Sequence, residues 1–261
     1  MGESIKELIQ YRHLLMMLAW KDIRIRYKQS VMGFFWAILM PMLIVAAGVL
    51  IKEAFAIFSH QSLRFADVAS LTVKALPWAF FVGAIRFATN SLTSNSNLVA
   101  KIYFPREVFP ISAVLANLFD FAVASIVLIV VLFLARTGFS IYLLWLPLLL
   151  LLIILFTTGL GMFLACGNLF FRDVKYIVEV ILTFGIFFTP VFYEARMLGK
   201  WAPLILLNPL SPLLEAMNSV LILHQNPDLP WLAYSAATTL VGFLFAWWIF
   251  KKAEYAFAEN I

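Results

Sequence analysis

A basic cluster that directly precedes a long apolar run is the feature that most constrains this chain. Residues 21–28 contain one acidic residue and four basic ones, Lys21, Arg24, Arg26 and Lys28. The sequence then stays apolar and aromatic from residue 31 to residue 51. A helix needs about 20 apolar residues to cross the hydrocarbon layer, and flanking basic residues stay on the cytoplasmic side. The junction therefore predicts a membrane span that is entered from the cytoplasm.

The composition indicates a polytopic membrane protein. Hydrophobic residues make up 64% of the 261 residues and charged residues 13%, with a mean hydropathy of +0.96. Soluble domains contain about half apolar and about a quarter charged residues. The net charge of +5 would suggest a nucleic-acid partner in a soluble protein. In a membrane protein it follows from the enrichment of basic residues in cytoplasmic loops, so we expect no nucleic-acid binding.

Six apolar stretches predict an all-α polytopic membrane protein with six transmembrane helices. The transmembrane domain covers residues 33–250. Its predicted spans are residues 33–58, 65–91, 111–135, 141–170, 174–192 and 231–250. Basic residues of the connecting segments lie mostly on one side, and the opposite side holds Arg64, Arg136, Arg196 and Lys200. This imbalance predicts that both termini are cytoplasmic.

Residues 1–32 precede the first span and predict a cytoplasmic segment that lies in the membrane interface. Ser4 and Glu7 match a capping box, and apolar residues follow at helical spacing as far as Trp20. Amphipathic helices with basic residues lie in the headgroup region of a bilayer. We therefore expect an N-terminal amphipathic interfacial helix here, and a short cytoplasmic tail over residues 251–261.

Residues 194–223 predict a short helical hairpin on the outer side, before the last span. Two apolar pieces, residues 201–207 and 213–223, are each too short to cross about 30 Å of hydrocarbon. The sequence NPLSP, residues 208–212, lies between them. Because backbone polar groups at membrane depth must be paired internally, a re-entrant or interfacial hairpin of two short helices is expected.

The sequence contains no motif that would make this chain an enzyme. The phosphate-binding pattern GxxxxGK[ST] is absent, because the one Gly-Lys pair, Gly199-Lys200, is followed by Trp201. The three histidines are far apart in sequence, and no zinc-binding or nucleophile motif is present. We therefore expect a chain without a catalytic or metal site, which hydrolyses nothing itself.

Four short stretches carry a resemblance to a known family. They are RYKQSVMGFFW at residues 26–36, SNSNLVAKIYFPREVFP at residues 94–110, NLFFRDV at residues 168–174 and NPLSP at residues 208–212. In their order and their spacing relative to the spans, they resemble the ABC-2 type membrane subunits that export O-antigen, capsule or teichoic acid. The resemblance covers nearly the whole chain. It implies a permease subunit of a polysaccharide exporter in the bacterial cytoplasmic (inner) membrane.

The resemblance also implies a set of partners. Such subunits form a homodimer that pairs with two copies of a separate nucleotide-binding ABC ATPase. This chain would then bind no cofactor, and the partner subunit would hold ATP and Mg. Two cytoplasmic loops would face the ATPase, with the docking candidates Lys101, Tyr103, Arg106, Glu107, Arg172 and Asp173. The alternative interpretation is that these are basic loops that only set the topology.

A polysaccharide substrate predicts a path lined by aromatic residues. Sugar rings present CH faces that stack on aromatic rings, and their hydroxyls need polar partners. The channel-lining candidates are Phe34, Trp36, Trp78, Phe81, Phe188 and Tyr193. The alternative interpretation is that these rings pack in the core, face lipid or mark the membrane interfaces.

Charged residues inside the predicted spans form a second group of functional candidates. Arg86 lies toward the cytoplasmic side of its span, and a guanidinium group suits a phosphate. We therefore expect Arg86 to contact the diphosphate head group of a lipid carrier. The other intramembrane charges are Lys52, Lys74, Asp120 and Glu179. The alternative interpretation is snorkelling for Lys52 and buried ion pairing for the others, Arg86 included.

Two other functions fit the sequence. An ABC-2 exporter of drugs or lipids would have the same architecture. An ion-coupled secondary transporter would need acidic residues near the membrane midplane, and Asp120 is a candidate for such a residue. The aromatic content favours the polysaccharide exporter, and so does the Pro-Arg-Glu sequence at residues 105–107, in the predicted first cytoplasmic loop (residues 97–110).

Overall fold

The computed structural model describes residues 7–28 apart from residue 9, residues 35–59, residues 65–101 and residues 104–259. Within these ranges the chain is helical without any β-strand, which confirms the predicted all-α class. The α-helices are α1 (Arg12–Lys28), α2 (Phe35–Ser59), α3 (Phe65–Ser94), α4 (Ser96–Lys101), α5 (Val108–Leu134), α6 (Leu146–Phe170), α7 (Val174–Gly185), α8 (Ala202–Leu206), α9 (Leu210–Leu221) and α10 (Leu229–Ala253). Short 3-10 helices occupy Ile141–Trp145, Ile186–Phe188, Ala195–Trp201 and Glu254–Glu259.

Five segments of the described chain are long and apolar enough to cross a membrane. They are Phe35–Ala54, Phe65–Ser94, Val108–Leu134, Ile141–Phe170 and Leu229–Phe257, and they confirm a multi-pass membrane protein. The predicted span at residues 174–192 contains α7, whose 12 residues extend about 18 Å, and the 3-10 turn Ile186–Phe188. The sixth crossing and the exact limits of the spans therefore stay predictions.

Helix α3 is the centre of the fold and is buried along most of its length. Its main neighbours are α2, α5, α6 and α9. Small residues permit the close contacts, because a Cβ atom on Gly161 of α6 would lie 2.8 Å from the Cβ atom of Ala88 on α3. A Cβ atom on Gly159 would lie 2.9 Å from the Cα atom of Phe243 on α10. The two glycines thus bring α6 close to α3 and to α10, as small residues do between membrane helices.

Helix α1 packs its buried residues against the helix bundle, chiefly against α5. Leu18, Ala19 and Ile23 are buried, whereas the neighbouring Met17 and Trp20 are exposed. The basic region predicted from the sequence is therefore part of one continuous helix. Its exposed apolar side chains fit a position in the membrane interface, which stays a prediction.

The segment between α7 and α10 contains two short helices, α8 and α9. Helix α9 is buried along nearly its whole length against α3 and α6. The start of α10 fixes the turn between the two helices, because the Tyr234 hydroxyl donates to the Leu207 carbonyl at 2.8 Å and the Ser235 hydroxyl donates to the Pro209 carbonyl at 2.5 Å. This segment is thus packed into the bundle, while the depth of the predicted hairpin in a membrane stays a prediction.

Candidate functional site

A cavity of about 740 Å³ lies between α1, α2, α3, α5 and α7, and we call it the central cavity. Its aromatic wall includes Trp36, Trp78, Phe80, Phe87, Phe121 and Phe192. Its polar groups come from Arg26, Tyr27, Arg86, Asn117, Asp120 and Thr183. Concave surfaces that are mostly apolar and carry a few polar groups are typical of ligand sites. The central cavity is therefore the candidate site of this chain.

An ion pair between α1 and α5 forms one part of the cavity wall. Arg26 Nη1 donates to Asp120 Oδ2 at 2.6 Å and to Asn117 Oδ1 at 3.2 Å. The Tyr27 hydroxyl donates to Asp120 Oδ1 at 2.5 Å, and the Arg26 guanidinium lies 3.7 Å from the centroid of the Phe87 ring. Burial raises the pKa of Tyr27, and its hydrogen bond to Asp120 acts in the same direction. Both carboxylate oxygens of Asp120 are thus engaged by α1.

A second ion pair joins α3 to α7 beside the central cavity. Arg86 Nε donates to Glu179 Oε1 at 2.6 Å, and Arg86 Nη2 donates to Glu179 Oε2 at 2.7 Å. The two side chains are 46% and 44% exposed. The guanidinium of Arg86 therefore lines the cavity and remains accessible to a further anion. Its predicted contact with a lipid head group stays a prediction.

The structure divides the predicted channel-lining aromatics between two cavities. Trp36 and Trp78 line the central cavity. Phe81 and Phe188 line a neighbouring apolar cavity of about 570 Å³, which Trp78 also borders. Trp78 therefore lies between the two spaces, and a continuous aromatic path through the protein stays a prediction.

Of the remaining two aromatic candidates, Tyr193 lines neither of these cavities and Phe34 is outside the described residues. The backbone carbonyl of Tyr193 accepts a hydrogen bond of 2.5 Å from Lys74 Nζ. Lys74 is buried, and its Nζ atom lies 3.8 Å from Glu215 Oε1. Lys74 thus fastens α3 to the segment that precedes α8 and to α9. Phe34 belongs to the stretch that the structure does not describe.

Residues 104–107, which belong to the predicted first cytoplasmic loop, are held by the C-terminal segment of the same chain. The Arg106 backbone N–H donates to Glu254 Oε1 at 3.1 Å, and the Arg106 guanidinium donates to the Glu254 carbonyl. Glu107 is completely buried, and its Oε1 atom lies 2.6 Å from Lys251 Nζ. Burial raises the pKa of Glu107, while Lys251 opposes that rise. This placement does not favour direct docking by Glu107, and it gives Arg106 an internal role.

The other docking candidates differ in what the structure shows of them. Arg172 and Asp173 are exposed in the turn before α7, as a docking surface requires. Lys101 is the last residue of α4, and Tyr103 lies outside the described residues. The docking roles of all four stay predictions.

Several partners of the site residues were not foreseen from the sequence. Nothing in the local pattern connects Arg26 with Asp120, or Glu107 with Lys251, because each pair is distant along the chain. The one available signal was the charge at Asp120 within an apolar span, which requires a partner. That signal indicates a partner without identifying it.

The apolar helices define a multi-pass membrane protein, and ion pairs and aromatic rings surround a cavity between its helices. A comparison with known families makes this class more specific. Residues 13–222 match the family described as ABC-2 type transporter, and the chain belongs to that family.

Similar proteins cover nearly the whole chain. It is 31% identical to the O-antigen export system permease protein RfbA of Myxococcus xanthus over 98% of each chain. It is also 30% and 28% identical to two proteins of the same name from Klebsiella pneumoniae, in each case over 94% of both chains. The similarity therefore extends beyond the family domain to the last span and the C-terminal segment.

Proposed function

We propose that this chain is the membrane-spanning permease subunit of an ABC exporter that moves lipid-linked, O-antigen-like polysaccharide across the bacterial cytoplasmic membrane. The observation that carries this proposal is the near full-length similarity to O-antigen export permeases. A separate nucleotide-binding subunit hydrolyses ATP with Mg and drives the movement. Two copies of this chain pair with two copies of that ATPase, and both termini lie in the cytoplasm.

The central cavity supports a sugar-containing substrate. Trp36 is 42% exposed and contributes an aromatic ring to its wall. The Thr183 hydroxyl donates to the Glu179 carbonyl at 2.7 Å, and its oxygen can still accept a hydrogen bond from a sugar hydroxyl. A polymer that passes through such a space makes many weak contacts and no tight one. This combination suits export better than it suits storage or tight recognition of a single ligand.

The Arg86–Glu179 pair supports a contact with the diphosphate of a lipid carrier. A guanidinium group binds phosphate oxygens through the same pair of donors that it uses for a carboxylate. Because both side chains are nearly half exposed, a phosphate can replace Glu179 without a change in the buried core. Arg86 would then hold the head group at the cavity while the glycan enters.

The surroundings of Asp120 argue against an ion-coupled transporter. A coupling carboxylate must exchange its partner for an ion or a proton during transport. Asp120 instead receives hydrogen bonds from Arg26 and Tyr27 on its two oxygens. This arrangement favours a structural role for Asp120.

The proposed function is tested by purifying the tagged chain from its native host and identifying the soluble protein that stays bound. We expect a stoichiometric nucleotide-binding subunit whose ATP hydrolysis increases when lipid-linked glycan is added to the complex in nanodiscs. Lipid carrier without glycan and a detergent-solubilised drug serve as controls. Stimulation by the drug alone would indicate the drug exporter, and purification of a chain with no ATPase would contradict the proposal.

A further inference from the structure

Residues 251–257, near the C-terminus, pack against residues 104–107 of the predicted first cytoplasmic loop and support it. They leave the end of α10 and continue as the 3-10 helix Glu254–Glu259. The sequence predicts a plain cytoplasmic tail here, but the structure packs this stretch into the protein. Phe257 is completely buried and contacts Phe250 and Phe170, with ring centroids 5.2 and 6.0 Å apart.

Polar contacts connect this stretch to residues 104–107 of the loop. Lys251 Nζ lies 2.6 Å from Glu107 Oε1 and 3.1 Å from Glu254 Oε2. Glu254 Oε1 accepts the backbone N–H of Arg106 at 3.1 Å. The Glu107 side chain is fully buried and the Lys251 side chain is 26% exposed, so Lys251 compensates the charge of a carboxylate that water does not reach. We call these contacts between Arg106, Glu107, Lys251 and Glu254 the C-terminal clamp.

The loop is connected to three helices at the same point. It continues directly into α5, since the Phe109 backbone N–H donates to the Arg106 carbonyl at 3.2 Å. Arg106 Nη2 donates to the carbonyl of Val99 in α4 at 3.4 Å. The C-terminal clamp adds α10, the last span. A displacement of residues 104–107 is therefore passed to α4, α5 and α10 together.

We infer that Lys251 and Glu254 are positioning residues, which join residues 106–107 of the ATPase-facing loop to α10 and make the last span move with that loop. This inference rests on the proposed function for the identity of the docking partner. The clamp itself is a property of this chain alone. Arg106 and Glu107 thus serve as the partners of Glu254 and Lys251 within the chain. The exposed surface that touches the ATPase lies on other residues.

The first test measures hydrogen exchange in peptides that cover residues 104–109, using the purified chain in nanodiscs. Glu254→Ala removes the acceptor of the Arg106 amide, so we expect exchange there to become about tenfold faster. Glu254→Gln keeps an oxygen acceptor and should retain most of the protection. Lys252→Ala is the matched control for Lys251→Ala, because it removes the same charge from an exposed neighbour outside the clamp.

The clamp is overturned if hydrogen exchange at the Arg106 amide is unchanged in Glu254→Ala. It is also overturned if Lys252→Ala accelerates this exchange as much as Lys251→Ala does. This measurement needs no ATPase, so it is decided separately from the proposed function. Should the wild-type chain bind no ATPase, the proposed function fails and the inferred coupling role fails with it, whatever the exchange result.

The second test uses the complex with its ATPase and compares ATP hydrolysis with glycan transported. A positioning role predicts that Lys251→Ala and Glu254→Ala keep the ATPase bound within about twofold but transport about fivefold less glycan per ATP hydrolysed. Glu254→Gln should restore most of that ratio. A merely structural role would lower the yield of folded protein and leave the ratio unchanged, and that outcome overturns the inference.

Discussion

Arg26 of α1 donates to Asp120 of α5 at 2.6 Å, although 94 positions separate the two residues in the sequence. Their side chains are 16% and 22% exposed. The N-terminal helix is therefore fastened to the interior of an apolar span by a largely buried charge pair. Asp120 is tolerated in that span because the guanidinium compensates its charge.

Asp120→Asn is expected to destabilise the protein, because it leaves the Arg26 charge uncompensated in a mostly buried position. We expect a loss of about 3 kcal/mol in the free energy of unfolding. Thermal unfolding followed by fluorescence-detected size exclusion would show a lower midpoint for this variant.

Asp67→Asn is the matched control for that substitution. Asp67 lies 3.7 Å from Lys52, and its side chain is 44% exposed. A pair of this kind contributes less than about 1 kcal/mol. Equal shifts of the midpoint in Asp67→Asn and Asp120→Asn would show that burial of the Arg26 pair is not what stabilises α1.

Gly161→Ala is expected to destabilise the contact between α6 and α3. The added Cβ atom would lie 2.8 Å from the Cβ atom of Ala88, which has no flexible end that can move away. Separation of the two helices should cost about 1–3 kcal/mol. Gly242→Ala in α10 is the control, because no heavy atom lies within 4 Å of its added Cβ atom. Melting midpoints of the two variants check this, and a normal midpoint for Gly161→Ala would contradict the close approach.

Arg86→Gln and Glu179→Gln distinguish a substrate-binding role of Arg86 from a structural one. If Arg86 holds the diphosphate, Arg86→Gln should reduce glycan-stimulated ATP hydrolysis about tenfold. Glu179→Gln should preserve the stimulation, since it frees the guanidinium for the phosphate. An equal loss of stimulation in both variants would indicate that only the ion pair between α3 and α7 matters.

Arg172→Glu is expected to weaken docking of the ATPase, because Arg172 is exposed in the turn that the proposed function places against that subunit. The amount of ATPase retained during purification should fall about tenfold. Lys200→Glu makes the same charge change at an exposed residue on the predicted outer side. If Arg172→Glu retains as much ATPase as Lys200→Glu does, the loop that contains Arg172 is not part of the docking surface.

Much of the fold was predictable because membrane spans are encoded locally. Apolar runs of sufficient length mark α2, α3, α5, α6 and α10 whatever their neighbours are. The stretch at residues 174–192 differs from these spans, since its helix ends at Gly185 and a 3-10 turn follows. Hydropathy alone does not reveal where such a helix ends.

The candidate site was predictable in its chemistry and much less in its arrangement. Trp36, Trp78 and Arg86 are residue types that suit a glycan and a phosphate, and all three line the central cavity. Glu107 was expected on a docking surface, yet it is buried against Lys251. The exposure of Glu107 depends on where the C-terminal segment packs. The sequence around residue 107 holds no information about that position.

The sequence by itself determined that this chain is an α-helical membrane protein, because hydropathy and basic flanks act over about 20 neighbouring residues. Its short motifs also carried the family resemblance. Only the tertiary structure decided that Asp120 meets Arg26, that Glu107 meets Lys251 and that Lys74 meets the carbonyl of Tyr193. Each of these contacts joins distant segments, so it depends on how the helices pack rather than on any pattern within one helix.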